Sequence, residues 1–210
     1  MTERPLLFPK AFPSSSLDVA RRFRGYLPHV EGARRVYFVT FRLADSLPRE
    51  VLDELREERR LRRIETPAAG DIAKRLSDST AKKVERMLDR GSGACHLRQP
   101  EIGKMVASAI CRFDGERYQL HAWCVMPNHV HAVVEPMGAW KLARILHAWK
   151  SFTAHKANAI LRNGGEFWQR EYYDRMLRNG REFLRAVEYV AKNPEKAGLR
   201  DWPWVWSCLS

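Results

Sequence analysis

The order of hydrophobic periodicities limits this fold more than any single residue does. Val36 to Leu43 is a β-branched and aromatic run and predicts a buried strand. Pro100 to Phe113 predicts a helix, with proline in its first turn and Ile102, Val106, Ala109 and Ile110 on one face. After the turn at Asp114-Gly115, Tyr118 to Met126 predicts a second strand. Pro127-Asn128 is a break, and His129 to Glu135 predicts a third strand. Trp140 to Leu161 is a long amphipathic helix, with Leu142, Ile145, Leu146, Trp149, Phe152 and Ile160 as its expected buried stripe and Asn163-Gly164-Gly165 as its stop. Tyr172 to Leu177 can be a fourth strand, and Glu182 to Lys192 a last helix stopped at Asn193-Pro194.

With residues 45–99 set aside, the order is strand, helix, strand, strand, helix, strand, helix. Its first six elements follow the α+β, ferredoxin-like β-α-β-β-α-β plan. That plan gives a four-stranded antiparallel sheet with helices on one face. Residues 1–33 are expected to be a basic N-terminal arm, irregular through residue 30 because of Pro5, Pro9, Pro13 and Pro28. Residues 45–99 are expected to be a helical insertion. One helix begins near Pro48, Val51, Leu52 and Leu55, and a second carries Leu76, Val84, Met87 and Leu88 and ends at Gly91. The whole chain, 1–210, then reads as one domain with these two additions, and it ends in a tail carrying Trp202, Trp204 and Trp206.

Composition narrows the function classes. Hydrophobic residues make up 45% of the chain, enough for a core and too many for a disordered tail protein. The formal net charge is +12, which favours an anionic partner. The insertion, with 13 basic and 11 acidic residues, contributes only +2. Residues 138–200 contribute +7, from 13 basic and 6 acidic, and residues 1–35 contribute +4, from 7 basic and 3 acidic. A charge run is usually a solvated face, but this excess flanks the candidate chemistry. No stretch approaches the ~20 apolar residues needed to span a bilayer, and the N-terminus is not expected to be a signal peptide. Cys95, Cys111, Cys124 and Cys208 form no CxxC pair and are expected to be free thiols in a reducing cytoplasm.

The sharpest local feature runs from Met126 to Val134. His129 and His131 are one residue apart on a predicted strand, so both imidazoles leave the same face, roughly 6–7 Å apart. That suits two ligands of one divalent metal. It equally suits two polar histidines on an exposed sheet face. The second feature is Tyr189. Phe183, Val187, Val190 and Ala191 form the apolar stripe of its helix, and Tyr189 lies nearly opposite, on the side of Arg185 and Lys192, with Asn193 one turn on. It is either a surface tyrosine or a nucleophile, which would need activation because a free phenol has a pKa near 10. The third is Phe167 to Arg175, a mixed strand whose arginines can touch phosphates. His96, His121, His147 and His155 have no metal-like spacing and are expected to be structural or solvated.

The stretches VYFVTFRL, WCVMPNHVHAVV, FWQREYYDRMLRN and VEYVAKNPEKAGL, followed by DWPW, occur in an order that resembles the REP-associated branch of the single-tyrosine HUH transposases. The likeness covers residues 34–44 and 100–207. It implies an HUH nuclease core, a divalent metal (Mg²⁺ or Mn²⁺), and single-stranded DNA recognised beside a palindromic hairpin. Residue by residue, it makes His129 and His131 the metal pair and Tyr189 the nucleophile, and it puts Asn193 at the position of a third ligand. The usual link between the first strand and first helix is shorter than the ~55 residues found here.

The activity so implied is strand cleavage and rejoining by transesterification. A 5′-phosphotyrosyl bond would form and a 3′-hydroxyl would be released. Arg144, Lys150, Arg175, Arg178, Arg185 and Lys192 are the basic residues expected to hold DNA. The chain would work as a monomer or homodimer in the cytoplasm, at the nucleoid, without a membrane. Two other readings compete: a catalytically silent nucleic-acid-binding module on the same fold, and a metal-dependent hydrolase in which Tyr189 is structural.

Overall fold

The computed structural model describes residues 20–24, 27–31, 35–54 and 83–209, with side chains from residue 35 onward in those ranges. Strand β1 (Ala20–Arg24) pairs antiparallel with β2 (Leu27–Glu31) as a separate hairpin. The later part of the arm is therefore ordered as a ribbon rather than irregular. Pro28 sits in the pairing opposite Phe23, a place open to proline because a two-stranded ribbon has free edges.

The central sheet is built from β3 (Tyr37–Arg42), β4 (Tyr118–Val125), β5 (His129–Pro136), β6 (Tyr173–Met176) and β7 (Val205–Ser207), in the order β6-β3-β5-β4-β7 with every pair antiparallel. The first four strands are those of the β-α-β-β-α-β plan. The fifth, β7, corrects the four-strand expectation. It comes from the tryptophan-rich tail and pairs Ala122 with Ser207, Trp123 with Trp206 and Cys124 with Val205. The tail is fixed by specific contacts. Trp202 Nε1 donates to the Val125 carbonyl at 2.7 Å, and Val125 N donates to the Trp204 carbonyl at 2.9 Å. Gly103 leaves room for the Trp204 ring, since a Cβ there would stand 2.8 Å from it.

Helices cover both faces of the sheet. On one side α1 (Pro100–Cys111) and α2 (Leu142–Leu161) bury Ile102, Val106, Ile110, Leu142, Ile145, Leu146 and Trp149 against Tyr37, Val39, Phe41, Leu120, Val130, Ala132 and Val134. The strand residues alternate, as a pleated strand requires. Phe152, expected in the α2 stripe, is instead 50% exposed, and Ile160 is only half-buried. On the other side lies α3 (Gly180–Lys196), which packs Phe183, Ala186, Val187 and Val190 on Val36, Ala122, Cys124, Met126 and Val133. Its N-terminus is fixed by Asn179, whose side chain accepts from Glu182 N at 2.9 Å, a cap worth about 1 kcal/mol. The helix does not stop at Asn193-Pro194 but runs to Lys196 with Pro194 inside it. Proline this close to the C-terminus costs one backbone bond, while Ala197 N still reaches the Asn193 carbonyl at 3.1 Å.

Residues 49–54 and 83–89 are helical, and between them 55–82 lie outside the described residues. Leu47, Val51 and Leu88 form a small buried cluster, with Leu52, Val84 and Met87 against it. The neck of this excursion is tied to the sheet. Leu43 N donates to the Asn128 carbonyl at 2.9 Å, Leu97 N to the Pro127 carbonyl at 3.1 Å, and Ala94 N to Asp45 Oδ2 at 2.7 Å. Among the described residues no helix is long and apolar enough to cross a membrane.

Candidate active site

His129 and His131 lie on the α3 side of β5, while Val130, Ala132 and Val134 face α1 and α2. Both imidazoles are buried, so the reading of two solvated surface histidines fails. Their rings also converge more than the strand spacing suggests. The centroids are 4.6 Å apart and the two Nε2 atoms 3.0 Å apart. Each Nδ1 has its own partner: Asn128 Oδ1 at 2.7 Å from His129, and Thr40 Oγ1 at 2.7 Å from His131. Asn128 is fixed in turn, donating through Nδ2 to the Ser92 carbonyl at 2.8 Å. These partners turn both Nε2 atoms toward one point. Burial drives both imidazoles to the neutral form: His131 falls to about 3, and His129 well below its ordinary value, helped by its neighbour.

Tyr189 comes from the opposite layer. Its ring meets His131 edge-on at 5.4 Å and Phe38 at 5.7 Å, and Phe38 itself stacks on His131 at 5.4 Å. The ring is half-buried, yet the hydroxyl is closed off from solvent and makes no hydrogen bond. Asn193, one turn on, is buried, and its Oδ1 is likewise without a partner. Lys196 Nζ stands 5.2 Å from the Tyr189 ring centre. The helical segment 83–89 brings Glu85 and Asp89 within electrostatic reach of Tyr189. Burial raises the Tyr189 phenol most; the Glu85 carboxylate, facing the hydroxyl at longer than ordinary hydrogen-bond geometry, raises it next, and the charge of Asp89 further. Asp89 is itself pushed up to about 6, by burial first and then by Glu85, with Lys196 opposing. Arg42, paired with His129 across the ladder, is half-buried and donates to Ser46 Oγ at 3.1 Å; burial lowers it to about 10.

The donor set fits a divalent cation. Two nitrogens at adjacent corners of an octahedron, with bonds of about 2.1 Å, stand about 3.0 Å apart. That is the Nε2 separation here, where the two nitrogens share a hydrogen bond, and Asn193, with its unpartnered Oδ1, is buried on the helix packed against this face. The hydrogen-bonded Nδ1 atoms supply the outer shell that orients metal-binding histidines.

The expected DNA contacts scatter. Arg175, Arg178 and Arg185 are exposed; Arg175 lies opposite Phe38, on the histidine side of the sheet edge, and Arg185 one turn before Tyr189. Lys192 is exposed and held by Glu188 at 2.6 Å. Lys150 turns inward, donating to the carbonyls of Gln169 and Arg170 at 2.7 and 2.8 Å, and burial lowers its pKa to about 8. Arg144 lies on α2, across the sheet from the histidines. Tyr172 packs toward the α1–α2 core. Tyr173 is exposed on the histidine side, 6.3 Å from Phe38. His121 is structural, buried between Phe183 and Glu135, whose Oε2 is 3.3 Å from its Nε2. Among the described residues all four cysteines are free.

Sequence reasoning missed Thr40, Asn128, Glu85, Asp89 and Lys196. Asn128 stood beside the histidine pair, and Lys196 follows Tyr189 by two helical turns. Thr40 needs the strand register, and the two carboxylates need the fold of the insertion.

Residues 99–193 match the family described as Transposase IS200 like. The REP-associated tyrosine transposase of Escherichia coli (strain K12) is 26% identical over 110 residues, 48% of this chain and 61% of the relative. A curated relative from Haemophilus influenzae is 26% identical over 102 residues, 41% of this chain and 57% of its own length. The chain thus spans about three fifths of the curated relatives it matches. A solved structure of a REP-associated tyrosine transposase bound to a REP hairpin superposes with TM-score 0.50 at 17% identity, covering 88% of this chain and 81% of that one, which is a likeness of fold.

Proposed function

We propose, from the match of residues 99–193 to the IS200-like transposase family and the similarity to the REP-associated tyrosine transposases, that this protein cleaves and rejoins single-stranded DNA beside hairpin repeats. The observation that carries the reading is the Tyr189 ring packed on His131, with Asn193 and both Nε2 atoms on the same side. Tyr189 Oη attacks phosphorus and the P–O3′ bond breaks. The phenol proton leaves to solvent, and the 3′-oxygen departs as a hydroxyl after taking up a proton. Tyrosine then holds the 5′-phosphate. Attack by another 3′-hydroxyl reverses the step and joins strands without an energy source. A divalent cation, Mg²⁺ or Mn²⁺, held by His129, His131 and Asn193 would draw charge from the phosphate oxygens.

Burial keeps the imidazoles neutral and Thr40 and Asn128 aim them, while Arg42, Arg175, Arg178 and Arg185 lie where they can hold the DNA backbone. Residues 1–33 and 45–99 act with the core as one unit, monomeric or dimeric, in the cytoplasm.

The closed-off Tyr189 hydroxyl favours one other reading: a silent module that binds hairpin DNA and does no chemistry. An end-labelled hairpin with single-stranded flanks, incubated with the protein and Mn²⁺ and run on a denaturing gel, separates the two. A covalent protein–DNA band supports the transferase. Binding with no band, at any divalent metal, supports the silent module. Cleavage that leaves a free 5′-phosphate and no adduct points to hydrolysis.

A further inference from the structure

A second site lies across the sheet from the histidine pair. Between the C-terminal end of α1, the turn into β4 and the start of α2 is an open cavity of about 380 Å³, within the range of small-ligand sites. Arg112, Phe113, Arg117, Trp140, Arg144 and Phe152 form its walls. The arginines and aromatics alternate in stacks. The Arg117 guanidinium lies 3.4 Å from the Phe113 ring centre and 4.5 Å from that of Trp140; Arg144 lies 4.7 Å from Trp140, and Arg112 5.4 Å from Phe113. No acidic residue lines the cavity, and none of these three guanidiniums pairs with a carboxylate among the described residues. The floor is rigid: Trp149 Nε1 donates to the Tyr118 hydroxyl at 3.0 Å, which donates to the Ile110 carbonyl at 2.7 Å.

This arrangement is poorly explained as core packing. Three uncompensated cations held flat against aromatic faces repel one another, and Phe152 remains half exposed. Stability alone would favour a carboxylate among them or a leucine in their place. Arginine stacked beside an open aromatic wall suits a planar ring carrying negative charge nearby, because the ring stacks and the guanidinium meets the charge.

We propose that this cavity binds a nucleotide of single-stranded DNA, with the base stacked against Phe152 and Trp140 and the adjoining phosphate on Arg117, Arg144 and Arg112. The proposal rests on the nucleic-acid reading above and extends it to a second point of contact. The cavity opens at the Tyr118 end of β4, whereas His129 sits beyond the other end. One strand length, eight residues or ~27 Å, separates the two. The second site therefore holds DNA away from the scissile phosphate. It anchors a strand that wraps from one face of the sheet to the other.

The test uses the full chain, a short oligothymidylate, and a hairpin whose single-stranded flanks carry 5-iodouracil. On irradiation, the flank is expected to crosslink to the peptide containing Trp140 or Phe152. Phe152→Ala, at a half-exposed position that folding does not need, should weaken oligothymidylate binding about tenfold. Arg144→Ala should weaken it too, and lower the slope of log affinity against log salt by about 0.7, one phosphate contact. Crosslinks confined to α3, β5 or the insertion, with Phe152→Ala and Arg144→Ala binding like wild type, would overturn the second site alone. A wild-type chain that binds neither oligothymidylate nor hairpin overturns the nucleic-acid reading and this site together.

Discussion

The two faces of the sheet are filled by opposite rules. On the α1–α2 face, buried polar groups are paired in chains: Trp149 to Tyr118 to Ile110, and Trp168 Nε1 to Thr153 Oγ1 (2.8 Å) to the Trp149 carbonyl (2.7 Å). On the α3 face, Tyr189 Oη, Asn193 Oδ1 and Asp89 Oδ1 are all buried without a hydrogen-bond partner. An unmet buried polar atom costs about 1–3 kcal/mol. A face that tolerates three, next to two imidazoles forced neutral, is arranged for something other than stability. One face pairs its buried polar groups internally, and the other leaves three unpaired beside the histidines.

The largest effect that would sharpen this contrast is chemical. His129→Ala or His131→Ala should reduce adduct formation by at least a hundredfold while hairpin affinity stays within a fewfold, measured by gel and by filter binding. Wild-type cleavage by both variants would remove the metal assignment. The mirror test on the other face is Trp149→Ala. It deletes a buried ring and the bond that its Nε1 donates to the Tyr118 hydroxyl, and should cost about 3–5 kcal/mol in urea unfolding. A cost below 1 kcal/mol would mean that this face is not the structural one.

Acid should act through the histidine face. The unfolded imidazoles titrate near 6.5, while the folded ones bind protons only far lower, His131 near 3. The unfolded chain therefore binds more protons below pH 6.5, and stability falls as pH drops, by up to about 1.4 kcal/mol per pH unit for each buried imidazole. Asp89 works against this. Its folded pKa near 6 exceeds its ordinary value of 3.8, so its protonation in the folded chain offsets part of the loss between those two pH values. Thermal midpoints in chelator should decline from pH 7 to pH 5. A flat profile would mean the imidazoles are not buried neutral. The smallest effect is Asn179→Ala, which removes the α3 cap. A loss of about 1 kcal/mol is expected in urea unfolding, and a loss above 3 kcal/mol would show that the cap does more than satisfy one amide.

The four core strands were legible because each is a run of alternating or β-branched residues bounded by a turn, and their order leaves one economical topology. β7 was not. Three residues among prolines and tryptophans carry no period, and the strand exists because Trp202 and Trp204 dock on the Val125 backbone and Gly103. Phe152 fits the helical stripe, but the neighbouring wall ends before reaching it. In the candidate site, His129 and His131 could be read from strand alternation; Tyr189, expected nearly opposite the apolar stripe, is half-buried against Phe38 and His131 because the buried face of its helix is turned toward Ala186 and Asn193. Asn193 could be placed one turn on but not recognised as buried, because its environment is the sheet rather than its own helix. Glu85 and Asp89 are brought in by a segment more than forty residues distant in sequence, which no local pattern encodes.

The central claim is that Tyr189 is the nucleophile. The decisive measurement is the covalent adduct formed on labelled hairpin-flanked single strand with Mn²⁺, mapped by mass spectrometry in the wild type and in Tyr189→Phe. The account predicts nucleotide mass on the peptide containing Tyr189, and no adduct in the variant. It also predicts that the variant keeps its stability within about 1 kcal/mol, because the hydroxyl meets no closer partner than the Glu85 carboxylate. An adduct that persists in Tyr189→Phe, or that maps to Tyr172 or Tyr173, would contradict it.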